Sequence, residues 1–119
     1  MFSFYKKIKD ALRGIVVAIY EEQSFRLQIV ATIIVVGLIF SLPLSFVEIS
    51  ILVVAIMVVL GLELTNSIVE RILDIIEAEH HPKIKDAKDI MAGAVILAAC
   101  GSFIIGAMIL LPYLIKILG

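Results

Sequence analysis

Apolar residues fill three long runs of this chain, and the few polar residues between them mark where each run begins and ends. Leu27 to Val47, Ile49 to Val69 and Ala92 to Ile117 each approach or exceed the roughly 20 mostly apolar residues that a helix needs to cross a hydrocarbon core of ~30 Å. Ser41-Leu42-Pro43-Leu44-Ser45 contains the tight turn between the first two, with room to cut a residue or two into either helix. The second run keeps its helical period through Ile72, Leu73 and Ile76 until His81-Pro82 stops it, which predicts a helix extending beyond the membrane. Residues 1–26 carry a different pattern. Tyr5, Ile8, Leu12, Ile15 and Ile19 make an apolar face opposite Lys6, Lys9 and Arg13, as in a helix lying in the plane of an anionic membrane surface. The competing reading, an amphipathic helix packed on a soluble core, fails because the chain offers no soluble core. The prediction is an all-α integral membrane protein, a single domain over residues 1–119, with a surface helix (1–26) and transmembrane helices over 27–47, 49–69 and 92–117.

Composition agrees with that setting. Of 119 residues 62% are hydrophobic, Trp is absent, and the mean hydropathy is +1.16, values that a soluble surface would not tolerate. A net charge of −1 gives nucleic acid no electrostatic footprint. A single cysteine, Cys100, inside an apolar run excludes an intrachain disulfide and reads as a packing residue. No cleavable leader is expected, because Ile15 to Tyr20 is short and is followed by Glu21-Glu22 without a small-residue cleavage pattern. Basic residues set the orientation. Lys6, Lys7, Lys9, Arg13 and Arg26 precede the first span, and Arg71, Lys83, Lys85 and Lys88 lie between the second and third. The turn near Pro43 has none and the C-terminus only Lys116, so the N-terminus and the 71–91 loop are expected in the cytoplasm and the C-terminus outside.

The chemistry concentrates at the end of the second span. At helical spacing Glu63, Asn66, Ser67, Glu70 and Asp74 share one face. A carboxylate near the bilayer centre costs about 2.5 to 3.5 kcal/mol, so such a stripe normally faces a protein interior and marks a site. Counting ~1.5 Å per residue, Glu63 lies ~20 Å along the span from Ile49 and Glu70 ~10 Å further, at the cytoplasmic interface. Glu22, just ahead of the first span, lies at the same level. Two carboxylates converging there suit Mg²⁺, an oxygen-seeking cation that commonly arrives with nucleotide phosphates, and the loop offers Lys83, Lys85 and Lys88 as phosphate partners. Three spans cannot surround the stripe, so the N-terminal helix or neighbouring subunits must cover it. Ala94, Ala98, Ser102 and Gly106 recur every four residues, a small-residue row that predicts close helix packing.

Glu63-Leu64-Thr65-Asn66-Ser67-Ile68-Val69-Glu70, Ala87-Lys88-Asp89, Gly93-Ala94-Val95 and the early Glu22 with Phe25-Arg26 together resemble the prokaryotic diacylglycerol kinase family of small integral membrane proteins, over nearly the whole chain. Within that family, Glu79-His80-His81-Pro82 and Leu111-Pro112 look like the undecaprenol kinase branch. The resemblance implies a homotrimer in the bacterial cell membrane that transfers the γ-phosphate of MgATP to a lipid alcohol, undecaprenol before diacylglycerol. It also implies roles by matching position: Glu63 as general base, Glu22 and Glu70 as metal carboxylates, Asn66 as a polar orienting group, and Lys88 with Asp89 as nucleotide contacts. General physics is compatible with these roles, since burial makes a carboxylate a better proton acceptor and phosphoryl transfer depends on positioning and charge neutralisation. Gln28 stands where diacylglycerol kinases of the family carry a further carboxylate; Ser24 replaces an asparagine common among polyprenol kinases, and Thr65 and Ile68 vary the core motif.

Plainer readings compete. Glu63, Asn66 and Ser67 can serve as interhelical hydrogen-bonding glue. His80 and His81 suggest a metal pair, but adjacent helical residues point apart. Glu77, Glu79 and Asp86 read as a solvated face. A small cation-coupled transporter would expose its glutamate near the midplane, whereas these carboxylates crowd one end. Neither a G-x-x-x-x-G-K-[ST] loop nor an H-R-D loop is present, which excludes a soluble-type kinase.

Overall fold

The computed structural model describes residues 2–76 and 81–119, and these are helical almost throughout. Four helices follow one another: α1 (Phe2–Glu21), α2 (Gln23–Ser41), α3 (Phe46–Ile76) and α4 (Pro82–Leu118). The last three are long and apolar enough to cross a membrane. α4 packs mainly on α3, α2 lies against α3, and α1 touches both α2 and α3.

Local chemistry explains each boundary. α1 stops at Glu22, whose backbone is extended (φ −115°, ψ 109°). The freed carbonyls of Ile19 and Tyr20 each accept a 2.9 Å hydrogen bond from the Arg26 guanidinium, which reaches back from the first turn of α2. The surface helix expected over 1–26 therefore ends at Glu21, and Gln23 to Arg26 belong to α2.

At the opposite end Pro43 forces Leu42 into an extended conformation and closes α2 at Ser41. Ser45 and Glu48 then form a reciprocal capping box: the Ser45 N–H donates to Glu48 Oε1 at 2.9 Å, and the Glu48 N–H donates to Ser45 Oγ at 3.1 Å. That cap starts α3 at Phe46, so Phe46 and Val47 belong to α3 and not to the end of the first span, as the hydropathy alone suggests.

His81 caps α4 by accepting the Lys83 N–H on Nδ1 at 3.2 Å, with Pro82 following in the first turn. Lys83, Lys85 and Lys88, expected on a loop, therefore sit on a helix whose backbone is already satisfied. Glu77, Glu79 and His80 lie outside the described residues.

The buried positions of α3 are Leu52, Ala55, Val59, Glu63 and Ser67, a seam of three- and four-residue steps. Its first part is apolar: Leu52 joins Leu42 and Leu110 in a small cluster near the Ser41–Phe46 turn, flanked by Leu38, Ile105 and Tyr113. Most other large apolar side chains face outward, among them Ile33, Val54, Leu97 and Phe103, as they would toward lipid. Ser102 Oγ donates to the Ala55 carbonyl at 3.3 Å, so the small-residue row of α4 does meet α3. At Gly101 and Gly106, however, an added Cβ would meet nothing within 4 Å, so no close backbone approach within the chain requires glycine there.

Candidate active site

The seam of α3 turns polar where α1 and α2 meet. Glu63 is 7% exposed and Ser67 8%, one turn apart on the face that carries Leu52 and Val59 lower down. Among the described residues none donates a hydrogen bond to the Glu63 carboxylate, whereas the hydroxyl of neighbouring Thr65 is spent within the helix, on the Gly61 carbonyl at 2.8 Å. The charges of Glu22 and Glu70 both act on Glu63. Asn66 follows Glu63 by three residues and precedes Glu70 by four, and its Oδ1 is buried without a hydrogen-bond partner. A buried acceptor in that state leaves a place for a donor that the described residues do not supply.

Glu22 reaches this stripe because it occupies the break between α1 and α2. It caps α2 with its backbone only, and its side chain turns to α3 instead. Glu22 Oε1 accepts from Ser67 Oγ at 3.0 Å, and Arg71 Nη2 lies 3.4 Å from the same oxygen and 3.0 Å from Glu21 Oε1. Arg71 Nε donates to Ser67 Oγ at 3.3 Å, closing the network. Glu21 and Arg71 were not among the residues singled out as candidates. Arg71 continues the four-residue spacing of Glu63 and Ser67, and that spacing was the available signal; nothing local marks Glu21, which depends on the fold.

The remaining candidates sit further toward the exposed end. Lys88 Nζ of α4 pairs with Asp74 Oδ1 of α3 at 2.6 Å, tying the two helices together where both leave the apolar zone. Asp89 points to Lys85 at 2.8 Å across one turn of α4, and this carboxylate holds the Lys85 ammonium above its ordinary pKa. Among the described residues, neither Lys88 nor Asp89 is hydrogen-bonded to the Glu22–Ser67–Arg71 network. Gln28 lies in a crevice of about 90 Å³ with Thr32, Val59 and Gly106, inside the bundle. A larger groove, about 330 Å³, runs between α1 and α3, lined by Arg13, Gly14, Ala18, Leu64, Ser67 and Arg71.

Among the described residues no three His, Cys, Asp or Glu side chains converge as a ready-made metal cage. The donors that Glu22 and Glu70 present around Glu63 are all oxygens, the set a hard cation prefers, and Mg²⁺ in particular keeps several waters and completes its shell with substrate phosphates. The residues therefore fit a cation that arrives with a nucleotide better than one caged by protein alone.

The chain belongs to the prokaryotic diacylglycerol kinase family, whose sequence pattern matches residues 9–110, and it is a lipid kinase. It is 39% identical over 111 residues to the undecaprenol kinase of Bacillus subtilis, covering 93% of this chain and 90% of that protein. It is 34% identical over 92 residues to the diacylglycerol kinase of Haemophilus influenzae (77% and 78% covered), and 31% identical over 109 residues to that of Synechocystis (91% and 62% covered). Membership in a kinase family removes the transporter reading.

Proposed function

We propose that this protein phosphorylates undecaprenol at the cytoplasmic face of the bacterial cell membrane, using MgATP. The observation that carries the reading is Glu63: a buried carboxylate in a helical packing seam, with no donor to it among the described residues and with Glu22 and Glu70 beside it. In this reading the lipid's primary hydroxyl enters from the bilayer and gives its proton to Glu63. The hydroxyl oxygen attacks the γ-phosphorus, the bond to the β-phosphate oxygen breaks, and ADP leaves with that oxygen. Asn66 is a polar orienting group at the nucleotide side of the site, and Lys88 and Asp89 contact the nucleotide. Glu22 and Glu70 would hold the metal, which when bound would supply charge neutralisation for the phosphates.

The surface helix is α1, lying on anionic lipid with Tyr5, Ile8 and Leu12 outward from the bundle, where all three are exposed. A homotrimer covers the open side of the stripe, which three spans of one chain cannot surround. The chain functions as one membrane-embedded domain, with the N-terminus and the site cytoplasmic and the C-terminus outside, a reading supported by the distribution of basic residues.

A second acceptor is favoured by the two diacylglycerol kinase relatives. A site that opens sideways to lipid reads the tail loosely, so both alcohols are substrates and the question is one of ratio. Identity is higher to the undecaprenol kinase, and Gln28 stands in place of the extra carboxylate of diacylglycerol kinases. The expected kcat/KM for undecaprenol exceeds that for diacylglycerol by at least about tenfold, which needs only ~1.4 kcal/mol of differential transition-state stabilisation. Mixed micelles holding both lipids at equal surface concentration, with labelled ATP, decide it: predominant phosphatidic acid would reject undecaprenol and leave lipid kinase activity standing.

A further inference from the structure

We infer that Arg71 is a positioning residue that trades one of its two carboxylates for the divalent cation of the phosphoryl donor, staying on Glu21 while it releases Glu22. The inference rests on the reading of Glu22 as a metal carboxylate. The geometry is unequal in the way such an exchange needs. Arg71 Nη2 stands 3.0 Å from Glu21 Oε1, a full hydrogen bond, but 3.4 Å from Glu22 Oε1, at the outer limit of one. Giving up Glu22 therefore costs the weaker contact, and the link from α3 to the junction survives through Glu21. The Glu22 contacts to Ser67 and Arg71 both fall on Oε1, and among the described residues none falls on Oε2.

The junction also needs a counter-ion before any cation arrives. Glu21 and Glu22 are adjacent, and the charges of Glu22 and Glu70 already act on Glu63. The nearby guanidinium of Arg26 is committed to the carbonyls of Ile19 and Tyr20. Arg71 is the cationic side chain found on the carboxylate pair. A positive charge at that position holds Glu22 in place in the resting enzyme and competes with whatever cation replaces it.

A strut and a competitor make opposite predictions. If Arg71 only braces the junction, removing its charge loosens Glu22 and weakens cation binding. If it competes, removing its charge strengthens binding, and releasing it from Glu21 drives it onto Glu22 and weakens binding. The test is a Mn²⁺ titration of the full chain in detergent micelles without nucleotide, following free Mn²⁺ by electron paramagnetic resonance. Arg71→Gln is expected to lower the Mn²⁺ Kd by at least about threefold, Glu21→Gln to raise it by at least about threefold, and Arg71→Lys to stay within about twofold of wild type. Arg71→Met carries the same expectation as Arg71→Gln if the latter does not fold. Glu22→Gln separates the two levels. If it weakens Mn²⁺ binding while Arg71→Gln leaves binding unchanged or weaker, the exchange is wrong and the metal assignment stands. If Glu22→Gln leaves binding intact, or if the wild type takes up no Mn²⁺ in the millimolar range, the metal assignment and the exchange both fall.

Discussion

Replacing Glu63 by glutamine tests the proposed chemistry with little disturbance to the fold. The two side chains have nearly the same shape, and Glu63 occupies a packed position, 7% exposed, so the isosteric change leaves no cavity. It also removes a negative charge on which Glu22 and Glu70 act, which relieves repulsion. The new amide needs a hydrogen-bond acceptor, and Asn66 Oδ1, one turn away and without a partner among the described residues, is suitably placed. Stability is therefore expected to be unchanged or slightly higher. The reaction loses its proton acceptor, and general-base catalysis contributes about 10²- to 10⁴-fold, or roughly 3 to 5 kcal/mol of activation free energy. The assay is transfer of labelled γ-phosphate from MgATP to undecaprenol in mixed micelles, with kcat and both KM values determined beside a thermal unfolding curve. The expected result is a kcat lower by at least about a hundredfold, KM values within about threefold, and an undiminished unfolding midpoint. Turnover within about tenfold of wild type would refute the role of Glu63 as base, and a collapsed unfolding midpoint would mean that the residue is structural glue.

Glu70→Gln should behave differently from Glu63→Gln, raising the Mg²⁺ concentration for half-maximal rate by on the order of tenfold, because it removes charge from the cation site; an unchanged Mg²⁺ dependence argues against Glu70 as a ligand. In a Cys100→Ala background, Ser3→Cys and Lys83→Cys should be shielded from an impermeant thiol reagent in intact cells and Ser45→Cys should react, and labelling of Lys83→Cys from outside would overturn the orientation. Tyr113→Phe deletes the 2.6 Å hydrogen bond from Tyr113 Oη to Glu48 Oε1, the oxygen that also accepts the Ser45 N–H of the α3 cap. The thermal midpoint should fall while kcat holds, because Glu48 lies ~22 Å along α3 from Glu63; an equal midpoint in the variant would show that this bond contributes nothing.

Much of this protein is legible in one dimension. Hydropathy and helical period are properties of consecutive residues, so three membrane-length helices, the extension of α3 past the apolar zone, and the shared face of Glu63, Asn66, Ser67 and Glu70 could be read directly from the chain. The motif around Glu63 also carried the family, which the relatives bear out. Helix ends were less legible where a cap outranks hydropathy: Ser45 and Glu48 claim Phe46 and Val47 for α3 although both are as apolar as the span before them. Tertiary structure alone decided which polar groups meet. Glu22 sits 45 residues from Ser67, and Lys88 sits 14 from Asp74; no spacing rule joins them, because their contacts depend on how α1, α2 and α4 pack against α3. The break at Glu22 matters most in this respect. It frees the Glu22 side chain from capping its own helix, and by aiming it at Ser67 and Arg71 it joins the polar stripe of α3 to the α1–α2 junction in one network.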